Sequence, residues 1–246
     1  MASQTTIALI TGANGGIGKA IATILAERHG YHVIIGSRNE KNGIDALNEL
    51  KDRGLSASAV QLDLTSDESI YAAVEKIKKE YGRLDVLVHN AAVNLENLGD
   101  HADLSTRELY TRTLQANVVG PAILTDLCLP LLERADVPRI VFVSSRQGSM
   151  QHNLDRSFPT YGVPMPAYKA SKAGLNALAI SYMTKLESVG GMVNVVCPGF
   201  VSTKMAGFDP QGRPPEVAAE KVVEIATLAK GGPTGIFVDA DGPVPW

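Results

Sequence analysis

Ile7-Ala8-Leu9-Ile10-Thr11-Gly12-Ala13-Asn14-Gly15-Gly16-Ile17-Gly18 decides the fold of this 246-residue chain. Four consecutive apolar residues read as a buried strand, and Ile17, Ile21, Ile24 and Leu25 then recur at helical spacing. Glycines in a strand-to-helix turn let the chain bend sharply, let backbone approach a pyrophosphate, and let the helix pack close to the sheet. The helix N-terminus offers N–H groups and partial positive charge to phosphates. Gly12, Asn14, Gly16, Ile17 and Gly18 are therefore candidate cofactor-binding residues. A triphosphate-binding loop is excluded, because Lys19 is followed by Ala20 rather than Ser or Thr and Ala13 stands where its leading glycine belongs.

Working outward, short apolar runs alternate with helical patterns to the end of the chain. Strands are expected at 33–35, 59–62, 84–88, 140–143, 193–196 and 235–238, with helices between them at about 104–116, 118–134, 167–187 and 215–229 among others. Runs this apolar, spaced by crossover helices, predict an α/β fold: a doubly wound parallel sheet of Rossmann type, about seven strands, covered by helices on both faces. No repeat or linker interrupts it, so residues 1–246 read as a single dinucleotide-binding and catalytic domain. The segment from Arg146 to Pro166, with Pro159, Pro164, Gly148 and Gly162, has no clean period. It exceeds the roughly 12–15 residues at which structureless loops become uncommon.

The composition (45% apolar, 20% charged, net charge −3) is that of a globular protein and argues against a nucleic-acid partner held by phosphate neutralisation. Cys128 and Cys197 are far apart and form no CxxC pattern, which excludes a disulfide framework and a cysteine-based zinc site and suits a reducing, cytoplasmic setting. No apolar run is expected to span a membrane, and Met1–Thr6 is too polar for a signal peptide.

The end of the second strand bears on which dinucleotide fits. A site for NAD places Asp or Glu there for the ribose 2′-hydroxyl, whereas this chain reads Gly36-Ser37-Arg38-Asn39. Arg38 offers a fork of donors suited to a 2′-phosphate, with Lys41 as additional charge, so NADP(H) is the expected cofactor. Asp63, followed by Leu64 after the third strand, is a candidate acceptor for the adenine amino group; a role beside a helix cap supplied by Thr65 or Asp67 is the alternative. Tyr168 and Lys172 are four residues apart and share a face if the segment is helical. A phenol with pKa near 10 is a weak acid at neutral pH, and a neighbouring ammonium lowers it toward the working range. Tyr161 has only Met165 at the same offset.

Thr11–Gly18, Asn90-Ala91-Ala92, Asn117 opening a helix, Ser144-Ser145, Tyr168 with Lys172, and Pro198-Gly199 occur in that order, each after a strand or on a helix. On these motifs, over essentially its whole length, the chain resembles the short-chain dehydrogenase/reductase family, and its carbonyl-reductase-like members in particular. The resemblance implies that Tyr168 gives its proton to a carbonyl oxygen and that Lys172 lowers the tyrosine pKa and binds the nicotinamide ribose. It implies that Ser145, rather than Ser144, holds the substrate oxygen, and that Asn117 holds a water of a proton relay. Asn90, Ala91, Pro198, Gly199, Val201 and Thr203 would then line the cofactor. Two departures stand out: His89 and Ala92 replace the usual Asn and Gly, and Ser145 lies further from Tyr168 than in short members. The extra residues fall in 146–166, which would wall the substrate pocket with Met150, Phe158, Tyr161 and Met165 as candidate apolar lining.

The expected function is NADPH-dependent reduction of a ketone or aldehyde, reversible as alcohol oxidation. Enoyl reductases in the family space the tyrosine and lysine more widely, and epimerases differ in glycine spacing. A catalytically silent, dinucleotide-sensing relative is the alternative from another class, disfavoured because all four catalytic positions are filled. Leu175, Leu178, Ile180 and Met183 lie on more than one side of the 167–187 helix, compatible with a homodimer or homotetramer.

Overall fold

The structure, a computed structural model, describes residues 5–96, 103–158 and 160–246, so Pro159 and the first four residues lie outside the described residues. The strands are β1 (Ile7–Thr11), β2 (His32–Ser37), β3 (Ala57–Gln61), β4 (Val86–His89), β5 (Arg139–Val143), β6 (Met192–Val196), β7 (Phe237–Asp239) and β8 (Gly242–Pro243). The helices are α1 (Gly16–His29), α2 (Glu40–Asp52), α3 (Asp67–Tyr81), α4 (Thr106–Leu114), α5 (Gly120–Leu132), α6 (Met150–Leu154), α7 (Pro166–Leu186) and α8 (Pro215–Ala226).

The strands form one sheet in the order β3-β2-β1-β4-β5-β6-β7-β8. Ile10 pairs with Ile35 on one side and Val88 on the other, both in parallel register. Strand side chains alternate between faces, which explains the continuous apolar runs. Leu9, Leu87, Ile140 and Phe142 join one core with α3, α5 and α7, while Ala8, Ile10, Val88 and Val141 join another with α1, α2 and α8.

The sheet has eight strands rather than about seven. β8 returns antiparallel onto β7 through Gly242 at φ +127°, and two residues of Gly-Pro carry no apolar pattern that a sequence could show. The expectation that no run could span a membrane is also corrected. The helical stretch Thr106–Leu132 is long and apolar enough by length and composition, because α4 runs into α5 without a break. Its Leu124, Cys128 and Leu132 are buried in the core against the sheet.

Caps follow ordinary side-chain chemistry. Asn39 accepts from Asn42 N at the start of α2, and Ser105 with Glu108 forms a capping box on α4. α3 is capped by Ser66, not by Thr65 or Asp67. Sheet order reverses between β1 and β4, and in such sheets ligands bind beyond the strand C-termini at that switch point.

Candidate active site

The turns after β1 to β6 all open on the C-terminal edge of the sheet, because those six strands are parallel. At the switch point the glycine turn is built for close approach. Gly12 has φ +64°, and a Cβ there would lie 3.0 Å from Ala91 Cα; one on Gly18 would overlap the Gly12 carbonyl and the Asn90 amide. Asn90 Nδ2 donates to Thr11 O at 2.9 Å, while Thr11 Oγ1 accepts from the backbone of Asn90 (3.0 Å) and Ala91 (2.9 Å). Asn90 thus braces β4 against β1 and shapes the turn. α1 has Gly15 as its N-cap, with no side-chain cap and no acidic residue in its first turn, which leaves its N–H groups open to an anion. Asn14 is exposed and Ile17 lines the adjoining cavity.

At the end of β2, Arg38 is exposed and, among the described residues, in no ion pair. Lys41, expected to add charge there, is paired with Asp45 at 3.0 Å. Asp63 Oδ1 accepts from Thr65 N (2.9 Å) and Thr65 Oγ1 (2.7 Å), a local turn that holds its carboxylate at the β3 end. Leu64 is buried against Gly120, where any Cβ would strike its carbonyl.

Tyr168 and Lys172 both lie on α7, one turn apart, as expected. Lys172 is almost fully buried, and its Nζ donates to Val143 O at 2.9 Å and lies 5.7 Å from the Tyr168 ring centroid. Burial brings the Lys172 ammonium down to about 8. The expected lowering of the tyrosine pKa by this ammonium is not what the site displays. Burial pushes the Tyr168 phenol well above its ordinary range, the nearby Cys197 thiol adds to that, and only a hydrogen bond with Ser145 pulls it back.

The two serines after β5 divide their work. Ser144 is buried, and its Oγ donates to Asn176 Oδ1 at 2.6 Å; Ser145 turns toward Tyr168. Asn176 also holds Gly148 O at 3.3 Å, and a Cβ on Gly148 would lie 2.8 Å from Lys172 C. Asn117 does not open a helix. It sits inside a π-helical turn, Gln115–Val119, that joins α4 to α5, with Gly120 N–H donating to Gln115 O. Its side chain is committed: Oδ1 accepts from Val93 N (2.8 Å), and Nδ2 donates to Val93 O (2.8 Å) and Ser171 Oγ (3.0 Å). π turns of this kind recur at functional sites.

After β6, Cys197 Sγ accepts from Arg146 N–H and Gly199 N–H, and Gly199 bends the chain at φ +80°. Val201 bridges to Arg213, yet among the described residues its own N–H and C=O have no partner. Thr203 approaches Gly16, with Cγ2 3.3 Å from where a Cβ would stand. Together with Pro198, these residues border a cavity of about 660 Å³ that reaches from Ile17 and Asn90 past Ser145, Tyr168 and Lys172.

The 146–166 segment is not structureless. It forms a 3₁₀ turn at Arg146–Gly148, then α6 and tight turns, and Arg146 pairs with Asp239 at the end of β7 and with Asp241 in the turn before β8. Phe158 and Met165 line the cavity with Thr160 and Val163. Met150, at the start of α6, and Tyr161, in a turn, are expected there too but are 67% and 47% exposed and do not line the cavity. His89 is structural: its ring stacks on Phe142 at 4.7 Å, and burial takes its pKa down to about 3. Of the four apolar residues singled out on the 167–187 helix, Leu175 is buried, Leu178 and Met183 pack on the core, and Ile180 is exposed.

Glu96, Gly148 and Asn176 escaped the sequence reading. Asn176 carried a local signal, one helical turn beyond Lys172, whereas Glu96 and Gly148 act through contacts distant in sequence.

The short chain dehydrogenase family model matches residues 6–213. A short-chain dehydrogenase/reductase, ATR10, of Stachybotrys chlorohalonatus is 36% identical, over 98% of this chain and 90% of its own. The carbonyl reductase [NADPH] 1 of Sus scrofa is 32% identical over 100% of this chain and 96% of its own. Among solved structures, an actinorhodin polyketide ketoreductase with NADPH superposes with TM-score 0.81 at 28% identity, covering 98% of this chain and 97% of that one. Salutaridine reductase from Papaver somniferum superposes with TM-score 0.79 at 28% identity, covering 94% and 99%.

Proposed function

The chain belongs to the short-chain dehydrogenase family, and from that premise we propose that it is an NADPH-dependent reductase of a ketone or aldehyde. The observation that carries this reading is that Tyr168, Ser145 and buried Lys172 together line one cavity, which reaches to Ile17 beside the glycine turn.

The residues present fit the dinucleotide. The cradle that a Cβ on Gly12 or Gly18 would fill, with the uncapped start of α1, takes the pyrophosphate. Arg38 takes the 2′-phosphate, and Asp63 and Leu64 border the adenine. Val201 offers its unpartnered N–H and C=O to the carboxamide, with Thr203 alongside, and Lys172 takes the nicotinamide ribose hydroxyls. When bound, NADPH supplies the hydride that reduces the carbonyl carbon.

The chain's own residues do the rest. Ser145 donates to the carbonyl oxygen and fixes its position, and Tyr168 Oη releases its proton to that oxygen as negative charge develops there. A phenol raised by burial stays protonated at neutral pH and so carries the proton that the carbonyl oxygen takes. Asn117 serves reprotonation through a water at the π turn. With its side chain committed, it is the main chain there that holds the water. Phe158, Val163 and Met165 select the substrate by shape.

The test is cofactor oxidation with a panel of ketones, aldehydes and quinones, NADPH and NADH side by side. Turnover should fall by roughly 10²–10⁴ in Tyr168→Phe, the span of a positioned general acid. Tight NADPH binding without turnover of any carbonyl would favour the silent, sensing relative instead.

A further inference from the structure

The helix that carries Tyr168 starts without a cap of its own. Met165 at the N-cap makes no side-chain hydrogen bond, Pro166 has no N–H to satisfy, and the first intrahelical bond runs from Lys169 N–H to Met165 O at 2.9 Å. That leaves two orphan donors, Ala167 N–H and Tyr168 N–H. Both go to a single carboxylate from the loop after β4: Glu96 Oε1 accepts from Ala167 at 3.2 Å and Glu96 Oε2 from Tyr168 at 2.9 Å. Glu96 is held in turn, its N–H donating to Asn94 Oδ1 at 3.2 Å. Asn94 is buried, and its Nδ2 rests on Met165 Sδ at 3.2 Å.

We propose that Glu96 is a positioning residue for Tyr168: its carboxylate caps α7 from outside the helix and holds the first turn, on which the proton donor sits. Helices fray from their ends, and an acceptor at the N-terminus is what resists it. Tyr168 lies within that turn. Lys172 is one turn deeper and is secured by Val143 O and by the close approach of Gly148. Loss of the cap therefore separates the two: the tyrosine loosens and the lysine stays. A carboxylate is suited to this, since it offers an acceptor to each donor and its charge complements the helix dipole.

The proposal rests on the reductase reading only for its kinetic arm. Hydrogen exchange at the Ala167 and Tyr168 amides is measured in the wild type, Glu96→Gln and Glu96→Ala, together with kcat per NADPH-binding site and the NADPH dissociation constant. In Glu96→Ala the two amides should exchange about tenfold faster, in line with the loss of a helix cap, while amides beyond Lys172 do not change. kcat should fall at least as far, with NADPH affinity within about twofold of wild type. Glu96→Gln, which keeps one accepting oxygen, should fall between, and it carries the test if the alanine variant does not fold. Unchanged exchange at the two amides overturns the proposal, as does kcat falling in step with NADPH affinity. A wild type that turns over no carbonyl would sink the reductase reading, and the exchange data would still decide the role of Glu96.

Discussion

Lys172 Nζ donates its hydrogen bond to the carbonyl of Val143 at 2.9 Å, and not to the phenol of Tyr168. β5 thus fixes the charge at its C-terminal end, where burial lowers the Lys172 pKa from 10.5 to about 8. An unfolded lysine binds its proton more tightly, so between about pH 8 and 10.5 the unfolded chain holds more protons and stability rises with pH. Below about 8 the buried charge exerts its full cost. Lys172→Met should therefore abolish turnover yet raise the melting temperature at neutral pH, an advantage that shrinks as pH rises. Calorimetry across that range checks it; a variant less stable than wild type at neutral pH would refute it.

The same shift sets the alkaline limb of activity. In the proposed function Lys172 binds the ribose through its ammonium, so kcat/KM for carbonyl reduction should decline as pH rises through about 8, while the raised phenol remains protonated. Steady-state kinetics over the alkaline range show whether the limb is there.

Acid stability should trace to His89. Its ring donates from Nε2 to Thr125 Oγ1 at 2.8 Å, whose own proton goes to Pro121 O, so the buried imidazole is neutral with Nδ1 unpaired. Its folded pKa of about 3 lies below the unfolded 6.5, so stability is present above 6.5 and is lost as pH falls toward 3. His89→Leu leaves Thr125 bonded to Pro121 and should flatten that acid limb in urea unfolding. An unchanged pH dependence would mean other groups govern it.

Arg38 should set the cofactor preference. Arg38→Ala is expected to raise KM for NADPH about tenfold or more, one lost charge-assisted contact of about 1.5–3 kcal/mol, with NADH little affected. Equal loss with both cofactors would show that Arg38 does not read the 2′-phosphate.

Gly148→Ala should damage the site by pressing on the backbone that carries Lys172. The new Cβ would meet Lys172 C and O at 2.8 and 2.9 Å, main-chain atoms inside a helix that cannot yield. A cost of roughly 1–3 kcal/mol and reduced turnover are expected, read by denaturant unfolding and kinetics.

Much of this was legible along the chain. The apolar strands, the glycine turn and the Tyr168–Lys172 interval are local patterns, since a strand buried on both faces must be continuously apolar and a helix brings fourth neighbours together. β8 was not legible, having two residues and no period, and neither was the inward direction of Phe158 and Met165 as against the exposure of Met150 and Tyr161. Asn117 was found by its place in the order of motifs. The π turn around it depends on an i→i+5 bond that no residue pattern announces.

The amino-acid sequence by itself determined the strands, the glycine turn and which residues are candidates for the chemistry, because turn geometry, helical spacing and side-chain type act over a few residues. Only the tertiary structure decided which of them meet. Strand order set β1 beside β4 and gathered six turns on one edge; Asn176 took Ser144 and left Ser145 for Tyr168. The start of α7, bare in its own sequence, found its cap in Glu96. Those choices are made by packing, which pairs groups far apart in the chain to satisfy buried donors and acceptors, and no local pattern records the partner.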